Sequence, residues 1–275
     1  MKEKIAEYMR YLADEEKSQA TKTQYYRDIL CFFDFLGNHP VTKEKVIQYK
    51  EKLLKEYRPA SVNTKLAAIN SFFSFLGKPM LRVKQLKIQK KPFCSAEKEL
   101  SKNEYMRLIA AANYEGNEKL ALLIQTICGT GIRVSELCFI TVEAVMSGEA
   151  MICLKGKNRV ILISGKLRKM LQRYIRQNKL HSGPVFVTRS GRPLNRSCIW
   201  KMMKALCQRA DVNPEKVFPH NLRHLFARCF YSLSKDIAQL ADVLGHSSIN
   251  TARIYITSFG YEHRKQMEAT GLVLF

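Results

Sequence analysis

From Ile5 to Leu76 apolar residues recur every three or four positions, and glycine or proline cuts the pattern before any stripe runs long. That spacing places them on one face of an amphipathic helix. Ile5, Met9, Leu12 and Ala13 form a first stripe. Tyr26, Ile29, Leu30, Phe33 and Leu36 form a second, stopped at Gly37. Asn38-His39-Pro40 is a break. Val46, Tyr49, Leu53 and Leu54 mark a third helix. Ser61 opens a fourth, with Leu66, Ile69, Phe72, Phe73 and Leu76 as its stripe and Gly77 past its end. Brief connections between such helices predict a small bundle over residues 1–79.

Residues 80–98 read differently. Five of the ten residues from Arg82 to Lys91 are basic (Arg82, Lys84, Lys87, Lys90 and Lys91), and Pro92 blocks a continuing helix. The stretch is a linker, either a solvated tether or a strap along a DNA backbone; the basic chain on both sides favours the strap. The whole chain carries 46 Lys plus Arg against 24 Asp plus Glu, a formal charge of +22. Such an excess repels itself in a compact state and is relieved by a polyanion. DNA is the commonest such partner; an RNA partner, or solubility alone, fits the charge as well.

At 275 residues the chain has room for a second domain, placed over 99–275. Its pattern is helical from Ser101 to Ile127, with Tyr105, Leu108 and Ile109 as the first stripe. Ala150 to Ser164 departs from it, because two β-favouring apolar runs flank Lys155-Gly156-Lys157-Asn158, a hairpin signal. A helix over Leu167–Gln177 and a short strand over Pro184–Thr188 follow, then helices near 195–210, 220–230, 235–243, 249–257 and 261–269. The fold class is therefore mainly α, with a small β element in the second domain. The eight cysteines form no C-x-x-C pair and mostly sit in apolar stretches, so they read as buried thiols of a reducing compartment. No apolar run reaches membrane-spanning length and the N-terminus lacks a signal-type core, which predicts a cytoplasmic, nucleoid-associated protein with no membrane partner.

Five short pieces between Gly129 and Tyr255 carry side chains suited to phosphate chemistry. In Thr130-Gly131-Ile132-Arg133-Val134-Ser135-Glu136-Leu137, a turn leads into a helix with Arg133 near its start and Glu136 one turn on to orient it. A cation there opposes the helix dipole and makes sense beside an anion. A surface Arg–Glu pair is the plain alternative. Lys155 and Lys157 stand at the hairpin tip, where an ammonium can reach a leaving oxygen or simply face solvent. His220 and Arg223 share a helix face, and His224 can join them. A zinc site is not favoured, since no acidic or cysteine ligand lies nearby at metal spacing. His246 follows the helix stop Gly245. Tyr255, between two isoleucines, would by itself be a core aromatic.

In this order and context, Arg133, Lys155, His220 with Arg223, His246 and Tyr255 resemble the active-site pattern of the tyrosine recombinases, the phage integrases and Xer-type resolvases. The stretches TGIRVSEL, HNLRHLFA and LGHSSINTARIY carry the resemblance, which spans essentially the whole chain. It departs at Leu154, where the family often has glycine before the hairpin lysine, so the choice of Lys155 over Lys157 stays open.

The resemblance implies a SAM-like, four-helix core-binding domain followed by a catalytic domain, and a site-specific recombinase that needs no cofactor, no metal and no ATP. Arg133 and Arg223 would clamp the non-bridging phosphate oxygens and His246 would add a hydrogen bond. Tyr255 would attack phosphorus with His220 assisting its deprotonation, Lys155 would protonate the 5′-hydroxyl, and a 3′-phosphotyrosyl link would result. A type IB topoisomerase, or a catalytically silent DNA-binding relative, is the competing reading. Expected partners are double-stranded DNA and further protomers, as a homotetramer on two DNA sites or with a second recombinase. Leu272-Val273-Leu274-Phe275, at the end of a tail over 261–275, would dock on a neighbour.

Overall fold

A computed structural model describes residues 2–88, 98–154, 157–245, 248–253 and 268–269. Lys90, Lys91, Cys94, Lys155, His246, Tyr255 and the apolar tail, all singled out above, lie outside the described residues. The chain divides into two compact units, Met1–Lys90 and Lys91–Phe275.

The first unit is a bundle of α1 (Lys2–Asp14), α2 (Gln19–Leu36), α3 (Lys43–Glu56) and α4 (Pro59–Phe75). Ser18 caps α2 by accepting from the Thr21 amide at 3.2 Å, and Thr42 caps α3 by accepting from Lys45 at 3.3 Å. The fourth helix opens at Pro59 rather than Ser61, because proline fits the first helical position, where no amide is needed. The core is Ile5, Tyr8 and Leu12 against Ile29, Phe32, Leu36, Tyr49, Leu66 and Phe72. The α2 stripe differs from the expected one: Tyr26 and Leu30 are exposed and Phe32 is buried. Phe32 makes edge-to-face contacts with Tyr49 at 5.2 Å and Phe73 at 5.8 Å, which fix the rotation of the helix.

The basic stretch begins as part of this bundle. Asn70 Nδ2 donates to the Val83 carbonyl at 2.8 Å and its Oδ1 accepts from the Val83 amide at 2.9 Å. Asn63 holds Leu86 in the same way, at 2.9 and 2.8 Å. Lys43 and Lys50 donate to the carbonyls of Arg82 and Lys84. Residues 82–86 thus lie along α3 and α4, with the side chains of Arg82, Lys84 and Lys87 exposed.

The second unit packs α5 (Lys102–Tyr114), α6 (Glu118–Thr130), α7 (Val142–Ser147), α8 (Gly165–Gln177), α9 (Arg196–Ala205), α10 (Cys207–Ala210) and α11 (Pro219–Ser234) around one apolar core. The helices α12 (Ile237–Leu244) and α13 (Ile249–Arg253) follow, and Leu240 and Leu244 of α12 pack with Ala227 of α11. The expected hairpin is present as β1 (Glu149–Leu154) and β2 (Lys157–Leu162), antiparallel, with Leu154 opposite Lys157 and Ile152 opposite Arg159. Its alternation buries Ala150, Ile152 and Ile161 and exposes Met151, Val160 and Leu162. The strand expected over Pro184–Thr188 reduces to single bridges, Thr141 to Pro184 and Val187 to Pro193, because the two prolines cannot donate to a ladder.

The cysteine expectation is also corrected. Cys207 is buried, Cys128, Cys138 and Cys198 are half-buried, and Cys31, Cys153 and Cys229 are exposed. Apolar neighbours in sequence did not make them core residues: strand alternation turns Cys153 to the same outer face as Met151. No helix among the described residues is long and apolar enough to cross a membrane.

Candidate active site

Gly131 ends α6 in the left-handed conformation, at φ 64°. A Cβ there would stand 2.4 Å from Phe226 Cδ1, so only glycine lets the chain turn against α11. The turn delivers Arg133 to the cap of a short 3-10 helix, Val134–Phe139, where an α-helix start was expected. Glu136 Oε2 accepts from the Arg133 amide at 2.7 Å and its Oε1 meets Arg133 Nη1 at 2.9 Å. One buried carboxylate therefore closes the helix start and aims the guanidinium, whose side chain remains 41% exposed.

Pro219 starts α11, and the helix sets His220, Arg223 and His224 on one side. Arg223 is fully buried. It donates from Nη1 to the Gly131 carbonyl and from Nη2 to the Leu244 carbonyl at 2.8 Å, binding α11 to the ends of α6 and α12. Asn221 steadies the same turn by donating to the carbonyls of Lys98 and Lys216 at 2.9 and 2.8 Å.

Arg133, His220 and Arg223 line one cleft of about 350 Å³, together with Arg196, Trp200 and Phe218. His220 is pushed down to about 4, first by burial, then by the charges of His224, Arg223, Arg133 and Arg196. Its ring keeps an exposed edge at the cleft. His224 is likewise lowered to about 4 by burial and by Arg228 and Arg223. Glu99 Oε1 stands 3.6 Å from His224 Nδ1, yet its other oxygen is 3.5 Å from Arg228, and burial outweighs the attraction. Both rings are neutral near pH 7.

The structure thus brings together Arg133, His220, Arg223 and the supporting Glu136. Lys157 is the first residue of β2, paired with Leu154. Gly245, left-handed at φ 63°, ends α12 just before His246 in sequence.

Two groups went unread in the sequence. Arg196 and Trp200, on α9, share the cleft; the signal was an arginine just past the cap Asn195 and an indole one turn on. Arg159 on β2 reaches Glu136 Oε2 from Nη2 at 2.5 Å and donates from Nη1 to the Leu244 carbonyl. Strand parity was its signal, since residues 159 and 161 share a face and Ile161 points inward. Burial lowers the Arg159 guanidinium from its ordinary value, against the pull of Glu136.

No group of three His, Cys, Asp or Glu among the described residues is arranged to hold a metal ion. The cleft instead offers a surplus of guanidinium over carboxylate, which suits an oxyanion.

The chain matches the phage integrase family over residues 98–260 and the N-terminal SAM-like domain of phage integrases over 5–78. Tyrosine recombinase XerA of Pyrococcus horikoshii is 30% identical over 279 residues, covering 98% of this chain and 94% of that protein. Tyrosine recombinase XerC of Erythrobacter litoralis is 30% identical, covering 91% and 86%. Among solved structures, XerH recombinase bound to its difH substrate aligns with a TM-score of 0.70 at 20% identity, over 91% of this chain and 79% of that one. A lambda integrase dimer bound to a core site aligns at 0.75 and 18%, over 93% and 77%. On these similarities and this fold, the chain belongs to the phage integrase family, as a Xer-like tyrosine recombinase.

Proposed function

We propose that this recombinase cuts and rejoins double-stranded DNA through a 3′-phosphotyrosyl link to Tyr255, with Arg133, Arg223, His220, His246 and a hairpin lysine, Lys155 or Lys157, around the scissile phosphate. The observation that carries the reading is the meeting of Arg133, Arg223 and His220 in one cleft, from segments about 90 residues apart in sequence. Two guanidiniums neutralise the charge that builds on the non-bridging oxygens in the transition state. His220, neutral near pH 7, is the candidate base for the phenol proton. A bound phosphate dianion-like centre opposes the surrounding arginines and strengthens that base. The phenolate oxygen then bonds to phosphorus, the bond to the 5′ oxygen breaks, and its electron pair takes a proton from the lysine. His246, after the Gly245 turn, donates to the oxyanion. Rejoining runs the same steps backward with a 5′-hydroxyl of another strand.

The bundle over 1–79 and the strap over 80–98 serve as a core-binding module, and 99–275 serves as the catalytic domain. Exposed Arg82, Lys84 and Lys87 on the docked strap support a role along the DNA backbone. Oligomers on DNA suit the reading, given the fold shared with a lambda integrase tetramer bound to a Holliday junction. The tail over 261–275, through its apolar end Leu272-Val273-Leu274-Phe275, would join protomers, and deleting 271–275 should weaken assembly while sparing cleavage at one site.

A pool of nicked duplexes of randomised sequence tests the central step. The wild-type chain should trap a covalent protein–DNA species, and Tyr255→Phe should trap none. Trapping by the mutant would remove the nucleophile assignment. Relaxation of supercoiled DNA without a preferred site would favour a topoisomerase.

A further inference from the structure

We infer that Arg159 is a positioning residue that locks the two clamp arginines, Arg133 and Arg223, into one unit. This rests on the function proposed above. The link is continuous. Arg133 Nη1 meets Glu136 Oε1 at 2.9 Å, and Glu136 Oε2 meets Arg159 Nη2 at 2.5 Å. Arg159 Nη1 donates to the Leu244 carbonyl, with that of Val243 at 3.4 Å. Arg223 Nη2 donates to the same Leu244 carbonyl at 2.8 Å. Each candidate clamp is thereby one intermediary away from Arg159.

The placement is enclosed. The Arg159 side chain is 12% exposed. A Cβ on Gly245 would stand 2.3 Å from Arg159 Cδ and 2.8 Å from its Nη1, so the guanidinium fills the space beside the turn. The planar fork of arginine serves a carboxylate with one nitrogen and a carbonyl with the other, which the single nitrogen of a lysine does not do from one position. Arg159 does not line the cleft and so acts through its neighbours rather than on DNA. Its chemical consequence follows from where the clamps act. They offset charge on the non-bridging oxygens, and a clamp loosened by an ångström forfeits much of that.

The test uses the full chain, wild type and Arg159→Lys or Arg159→Met, on a nicked duplex that wild type converts to covalent complex. The scissile linkage is an ordinary phosphate, a neutral methylphosphonate or a 5′-bridging phosphorothiolate. On the ordinary phosphate Arg159→Lys should be slower by about 100-fold, with DNA binding nearly kept. On methylphosphonate, which lacks the charge to be clamped, most of that deficit should vanish. An equal deficit on all three linkages, or no deficit, overturns the inference. Recovery on the phosphorothiolate alone also overturns it, since that leaving group needs no proton and the defect would lie with the hairpin lysine. Arg159→Lys retains the charge and carries the test should Arg159→Met not fold. A wild-type chain that forms no covalent complex on any linkage would instead sink the recombination chemistry itself, and this inference with it.

Discussion

The imidazole rings of His220 and His224 meet edge to face, with centroids 4.8 Å apart. Both are held well below the ordinary histidine range, to about 4, chiefly by burial. The folded chain therefore binds fewer protons than the unfolded chain between pH 4 and 6.5. Stability is full above the unfolded value and falls as pH drops toward the folded one. The side chain of His224 is only 16% exposed, and its share amounts to about 2 kcal/mol lost at pH 5, at about 1.4 kcal/mol per pH unit. Urea unfolding at pH 7 and pH 5 measures this. His224→Asn should lose visibly less over that interval, and an equal loss would refute the assignment.

Glu136 carries the second expectation. It is 4% exposed and faces Arg133 and the 12%-exposed Arg159. Glu136→Gln keeps the shape but removes the charge, leaving Arg159 buried without its carboxylate. The cost should be about 3–5 kcal/mol in urea unfolding of the second unit. Arg133→Gln should cost less, because its side chain is 41% exposed and partly solvated. The reverse ranking would count against this account of the pair.

How much of this could be read beforehand depended on range. The helices announced themselves through local spacing, and the glycine stops at 37 and 245 fell where helices end. The rotation of α2 did not. The segment Tyr25 to Phe35 is so rich in aromatics that several faces look apolar, and the choice of Phe32 over Tyr26 was made by Tyr49 and Phe73 on other helices. The candidate residues Arg133, His220 and Arg223 stood out as chemistry-bearing types, but their meeting required α6, α11 and α12 to pack. Arg159 was the hardest to see, since its partners lie 23 and 85 residues away.

Gly131 and Gly116 make a matched pair for a third measurement. Both are left-handed, at φ 64° and 66°, but a Cβ at 116 meets nothing within 4 Å, whereas at 131 it collides with Phe226. Gly116→Ala should cost only the backbone term, about 1–2 kcal/mol. Gly131→Ala should add about 1–3 kcal/mol from overpacking. Equal midpoints of urea unfolding for the two variants would show that Phe226 yields.

Amide hydrogen exchange tests the docking of the basic stretch. Asn70→Leu leaves the Val83 amide and carbonyl without partners, at roughly 1–3 kcal/mol for each buried group. The Val83 amide should lose its protection, while the Leu86 amide, held by Asn63, should keep most of its own. Unchanged exchange at Val83 would mean that the strap is held by something else.

Among the described residues, Arg133 and Arg159 share the Glu136 carboxylate while Arg223 donates to backbone carbonyls, and this excess of guanidinium has a consequence for the protein away from DNA. A centre richer in guanidinium than in carboxylate is stabilised by an incoming anion. Substrate occupancy then becomes a term in the folding equilibrium: saturating oligonucleotide raises resistance to heat and proteases by mass action.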